Sequence, residues 1–88
     1  MSLPMIVGVA VMYAGRVYHL PKPNRHHDVI RSIPGGVKGP DIQGFILDDG
    51  KFLSRRYAYR LARDNGQLNR KPGEQFYQGP ELYSEDLW

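Results

Sequence analysis

Residues Gly44 to Gly66 read GFILDDGKFLSRRYAYRLARDNG, and the fold follows from how this stretch is parsed. Asp49-Gly50 is a hairpin signal, because a type I′ turn needs positive φ at both central residues. Phe45, Ile46 and Leu47 lead into it, and Lys51, Phe52 and Leu53 lead out. Ser54 then stands where its hydroxyl can accept a free backbone N–H at a helix start. Tyr57, Ala58, Leu61 and Ala62 fall on one helical face, and Asn65-Gly66 supplies a stop, since glycine takes the left-handed C′ position at no steric cost. The stretch is therefore a strand, a turn, a strand and a helix.

Upstream, the same plan recurs. Met5–Tyr13, MIVGVAVMY, is rich in Val and Ile and reads as a buried strand, with Gly8 marking a bulge or a close backbone approach. Ala14-Gly15 turns the chain, and Arg16–Leu20 returns as a strand. Arg16, Tyr18 and Leu20 point one way, and Val17 and His19 the other. Pro21-Lys22-Pro23 ends the strand. Asn24 is expected to cap a short helix from about Arg25 to Ile33, with His26, Val29, Ile30 and Ile33 on one face. Ile33–Gly44, with Pro34-Gly35-Gly36 and Gly39-Pro40, reads as a loop. A stretch this rich in glycine can expose N–H groups to an anion, but no phosphate-loop pattern occurs in it.

The expected fold class is α+β. A small antiparallel sheet is built from two β-hairpin–helix (ββα) units, four strands with both helices on one sheet face, followed by an irregular C-terminal arm. Residues 4–88 form one small domain, and residues 67–88 are an arm that docks on its own or a neighbouring subunit. The closing ELYSEDLW is apolar enough that it is not expected to stay free in water.

Composition narrows the function classes. With 88 residues the core is small, and a homo-oligomer is the expected way to hide remaining apolar surface. The chain has no cysteine, which excludes disulfides and thiolate metal sites and suits a reducing cytoplasm. The net charge of +3 favours anionic partners only mildly. Met5–Tyr13 is too short to cross a bilayer and lacks a charged leader, so neither a membrane nor a signal-peptide role is expected.

Two features carry chemistry. Arg56, Arg60 and Arg63 recur at i, i+4 and i+7, a basic stripe on the outer face of the second helix, bordered by Arg55. It is either a solvated surface or a docking face for phosphates or acidic partners. His26-His27 is the second feature. Adjacent helical residues diverge by about 100°, so they do not chelate one metal together. A metal site would need His19, Asp28, Glu85 or Asp86 brought in by folding. His26 is either a core imidazole beside Val29 and Ile30 or a pocket imidazole, while His27 beside Arg31 suits an anion. An acid–base pair of His26 or His27 with Glu85 or Asp86 requires the tail to fold back. No catalytic residue, metal or cofactor is assigned, and a binder is preferred to an enzyme.

The segments VYHLPKPNRHHDVI, QGFILDDGKFLSRRYAYRLARDNGQL and LYSEDLW together resemble a group of small uncharacterised phage and prophage proteins. In that group a tandem-histidine segment precedes a QGF…DG(K/R)F hairpin and the chain closes on SEDLW. The resemblance spans Val17 to Trp88. It draws attention to His26, His27, Gln43, Gly44, Phe45, Gly50, Phe52, Arg56 and Ser84 to Trp88, and it implies a phage accessory role acting on host machinery, host defence or nucleotide pools.

Three readings follow. In the first, a small oligomer binds a small anionic, nucleotide-like ligand without catalysis, at sites on subunit boundaries, through His26, His27, Arg31, Arg56 and Arg60; sequestration of a host defence signal is the phage context. In the second, Arg63, Tyr83, Glu85, Asp86, Leu87 and Trp88 dock on a host protein, an enzyme or a nucleic-acid machine, and inhibit it. The third, and weakest, is nucleic-acid binding by the same helix, with steep salt dependence.

Overall fold

The computed structural model describes residues 3–69 and 82–88. Strand β1 (Ile6–Tyr13) pairs with β2 (Arg16–Pro21), helix α1 (His26–Ser32) follows, then β3 (Asp41–Leu47), β4 (Phe52–Ser54) and helix α2 (Arg55–Asn65). A single turn of 3₁₀ helix, Ser84–Asp86, lies near the C-terminus. The four strands form one antiparallel sheet in the order β2-β1-β3-β4. This is the α+β arrangement of two hairpin–helix units that the sequence predicts.

The second hairpin does not form the expected type I′ turn. Gly50 has φ +87°, but Asp49 does not share its positive φ. Instead, Gly50 N–H donates to the Leu47 carbonyl and Leu47 N–H donates to the Lys51 carbonyl, both at 2.9 Å. These bonds enclose a three-residue loop, Asp48-Asp49-Gly50, a type I turn followed by a left-handed glycine. The Asp49 carboxylate prefers this arrangement because it accepts the Lys51 N–H at 3.0 Å. The mirror-image turn occurs in the first hairpin, where Ala14 (φ +52°) and Gly15 (φ +77°) are both left-handed between paired Tyr13 and Arg16.

Helix starts also depart from expectation. Asn24 does not cap α1. Its side-chain amide donates to the Pro21 carbonyl at 2.8 Å, and the cap position passes to Arg25, whose N–H reaches the Asp28 carboxylate at 2.8 Å. Ser54 occupies the N-cap of α2, yet its hydroxyl makes no capping bond. Gly66 ends α2 at φ +83° as expected. β3 begins at Asp41 rather than Phe45, because Asp41 to Gly44 pair with Tyr13 to Ala10 of β1. Pairing to a strand already in place overrides the weak strand propensity of Asp, Gln and Gly.

Register assigns each side chain to a face. Val9 lies opposite Leu20 and Phe45, and Val11 opposite Tyr18 and Gln43. These residues face the helices, where Val9, Val11, Phe45, Val29, Ile33, Ala58, Ala62 and Leu82 form the core with Ile6 and Leu47. Ala58 and Ala62 are fully buried, and their small side chains let α2 approach the sheet. Tyr57 was expected on that face but is 61% exposed; the buried face centres on the two alanines and turns Tyr57 outward. On the other sheet face, Met12 lies opposite Val17 and Ile42, Ala10 opposite His19 and Gly44, and Ile46 opposite Phe52. The register shifts between Ile6 and Gly8, a bulge at Val7 beside the expected glycine, and Gly8 itself is the close approach, since a Cβ there would meet the Leu20 carbonyl oxygen at 2.3 Å.

Candidate functional site

The basic stripe is built by the 3.6-residue period of α2 acting on a helix whose alanine face is buried. Arg56, Arg60 and Arg63 then necessarily stand on the solvent side, and they line one groove of about 300 Å³ with Tyr59. The Arg63 guanidinium lies 6.0 Å from the Tyr59 ring centroid and 3.4 Å from the Asp64 carboxylate. Among the described residues, no ion pair engages Arg56 or Arg60.

A second groove, of about 380 Å³, adjoins the first at Arg56. It lies where β4 stops and α2 begins, and is lined by Asp41, Ile42, Gln43, Ser54, Arg55 and Arg56. Register explains the opening. β4 pairs with β3 only from Gly44 to Ile46, so Asp41–Gln43 lie beyond its last paired residue, beside the first turn of α2. That turn contains Arg55 and Arg56 and no acidic residue. Ser54 makes no side-chain capping bond, so among the described residues no side-chain cap meets the first-turn N–H groups and the positive end of the helix dipole.

Arg55 is held from several sides. Its Nη2 donates to Gln43 Oε1 at 2.6 Å, its guanidinium carbon lies 4.6 Å from the Tyr83 ring centroid, and its carbonyl accepts the Leu82 N–H at 3.0 Å. Its Nε is buried and has no hydrogen-bond partner among the described residues. A guanidinium fixed this way loses little freedom on meeting an anion.

The histidines lie elsewhere. His26 is 7% exposed. Its Nε2 lies 2.7 Å from the Gly44 carbonyl, to which it donates, and its ring meets Phe45 edge-on at 5.1 Å. His27 is exposed, 3.4 Å from the Asp28 carboxylate, and Arg31 is exposed in the last turn of α1. Neither groove on α2 is lined by a residue of α1. Of the residues expected to contact a ligand, the structure thus brings Arg56 and Arg60 together and keeps His26, His27 and Arg31 apart from them.

The C-terminal turn folds onto its own chain. Leu82 is fully buried in the core and Asp86 is 2% exposed. The Asp86 carboxylate accepts the Tyr83 N–H at 2.9 Å, and its carbonyl accepts the Asn69 N–H at 2.7 Å. Trp88, half-buried like Leu87, donates its indole N–H to the Asn24 carbonyl at 3.0 Å. Glu85 belongs to this turn, but its side chain is outside the described part, as are residues 70–81 of the expected irregular arm.

Sequence reasoning passed over Ser54 and Asp41 as site residues, drew attention to Gln43 only through the resemblance, and gave Arg55 only a border role. The legible signal was the pair Arg55-Arg56 at a helix start, where acidic residues are favoured. Among the described residues no helix is long and apolar enough to cross a membrane. The family model described as phage T4 y16D protein matches residues 5–88. No curated protein and no solved structure matches the chain.

Proposed function

The chain belongs to the phage T4 y16D protein family, and from that premise we propose that it is a phage accessory protein that binds a small anionic, nucleotide-like ligand without catalysis, on the arginine face of α2. One observation carries the reading. Two grooves meet at Arg56, one holding the uncapped helix start with Arg55, the other holding Arg60, Arg63 and Tyr59. Phosphate oxygens are matched by the first-turn N–H groups and the guanidinium forks. Sequestration of a host defence signal is the biological setting that the phage origin of the family suggests.

The test is calorimetric titration of the full chain with a nucleoside diphosphate and, separately, with inorganic phosphate. The reading expects saturable binding of the diphosphate that weakens at least about tenfold in Arg56→Ala/Arg60→Ala, the loss of one or two charge-assisted contacts. Absence of binding by the wild-type chain, or equal binding by the variant, overturns it.

A second reading, docking on an acidic host protein, draws on the same arginines and on Tyr57, which is 61% exposed beside them. It draws less on the C-terminus, because Leu82, Asp86 and Trp88 are engaged within the chain. Steep salt dependence with nucleic acid, and none of the expected diphosphate binding, would favour the nucleic-acid alternative instead.

A further inference from the structure

Arg55 is half-buried, whereas Arg56, Arg60 and Arg63 are exposed. A guanidinium withdrawn from water is normally compensated by a carboxylate. Here the two groups that hold it are neutral. Gln43 Oε1 accepts from Nη2 at 2.6 Å, and the Tyr83 ring centroid lies 4.6 Å from the guanidinium carbon. Asp41 lines the same groove, yet among the described residues no ion pair joins a carboxylate to Arg55. The positive charge is thus held in place and left uncompensated, and the buried Nε has no hydrogen-bond partner among the described residues. Gln43 takes one N–H of the fork and the ring meets the central carbon, so N–H donors remain for an anion in the groove.

Tyr83 reaches Arg55 from far along the chain. It precedes the 3₁₀ turn Ser84–Asp86, in a segment fixed at both ends. At one end Leu82 is fully buried and its N–H donates to the Arg55 carbonyl at 3.0 Å. At the other, the Trp88 indole donates to the Asn24 carbonyl at 3.0 Å. Arg55 therefore meets this segment twice, once through its carbonyl and once through its side chain.

Building on the anion reading of α2, we propose that the C-terminal segment, residues 82–88, regulates that site. Tyr83, together with Gln43, is a positioning residue that fixes Arg55 for the ligand, so docking of the segment and binding of the anion reinforce each other. The sign of the coupling follows from conformational freedom. With the segment undocked, Arg55 loses the ring and regains rotamers, which an arriving anion has to freeze again. With the segment docked, that ordering is already complete. Linkage makes the effect reciprocal: an anion that favours the docked state by some factor holds the segment down by the same factor. A cation–π contact at a partly buried site accounts for roughly threefold to tenfold.

Calorimetric titration and amide hydrogen exchange on the full chain, both with adenosine diphosphate, test the coupling. Saturating diphosphate is expected to slow exchange in residues 82–88 at least about threefold more than in β2, a strand that lines neither arginine groove. Tyr83→Leu and Gln43→Leu are each expected to weaken diphosphate binding about threefold to tenfold, measured where circular dichroism shows the variant folded. Tyr83→Phe returns the ring and is expected to restore the affinity. A Tyr83 that only packed would leave the affinity of the folded Tyr83→Leu chain unchanged. The exchange measurement needs no substitution, so it decides even where a variant fails to fold. One outcome overturns the coupling and leaves the ligand reading standing: diphosphate binds the wild type and is lost in Arg56→Ala/Arg60→Ala, while Tyr83→Leu binds as wild type or residues 82–88 are slowed no more than β2. A wild-type chain that binds no diphosphate overturns both.

Discussion

A methyl group added at Gly44 would lie 2.1 Å from the Leu53 carbonyl oxygen and 2.7 Å from the Phe52 ring. Backbone cannot yield as a flexible side chain can, so Gly44→Ala is expected to cost about 2–3 kcal/mol, read in a urea melt. The same residue's carbonyl accepts from buried His26. His26→Ala removes that donor and leaves a cavity against Phe45, with an expected loss of about 2–3 kcal/mol. Diphosphate affinity should change little, since His26 lines neither of the α2 grooves. Ala14 pays for its left-handed φ of +52° at the first position of a type I′ turn. Ala14→Asn, the residue type that tolerates this conformation, is expected to stabilise by about 1 kcal/mol and to raise Tm by roughly 4–8 °C. Gln67 has a role with no local signature: its side-chain amide accepts from Ile6 N–H at 2.7 Å and donates to the Ile6 carbonyl at 3.0 Å, pairing β1 beyond the point where β2 ends.

Among the elements, α2 shows where stability and the proposed function pull apart. Its first turn has two arginines and no acid, and its cap residue does not cap, an arrangement that opposes the helix dipole. Arg56→Glu is therefore expected to stabilise the fold by about 0.3–1 kcal/mol, measured by thermal melting, while abolishing diphosphate binding. A stabilised variant that still binds would remove Arg56 from the site. The C-terminal turn is the opposite case, an element whose contacts are all inward. Deleting Ser84 to Trp88 removes the Trp88–Asn24 bond and the Asp86 contacts. The expected cost is about 2–4 kcal/mol from lost hydrogen bonds and packing, read in a urea melt.

Across the whole molecule, the sheet has one face under the helices and one face without charge. The apolar run of β1 reads as a buried strand, and Ile6 and Gly8 to Val11 are buried within the chain. Local chemistry in the sequence was enough to determine the order of the elements, the helix stop at Gly66, the face assignment of β2 and the stripe of Arg56, Arg60 and Arg63. Each of these depends on residues within one turn or one strand of each other. Tertiary structure alone decided the rest. It decided that β3 starts at Asp41, since that depends on the neighbouring β1, and that His26 faces a carbonyl 18 residues away. It also decided that Trp88 returns to Asn24 across 64 residues, and that Ser54, Arg55 and Gln43 meet in a groove where one strand ends before its neighbour. Contacts between residues distant in the chain are set by which surfaces pack together, and no local pattern of residue types encodes that.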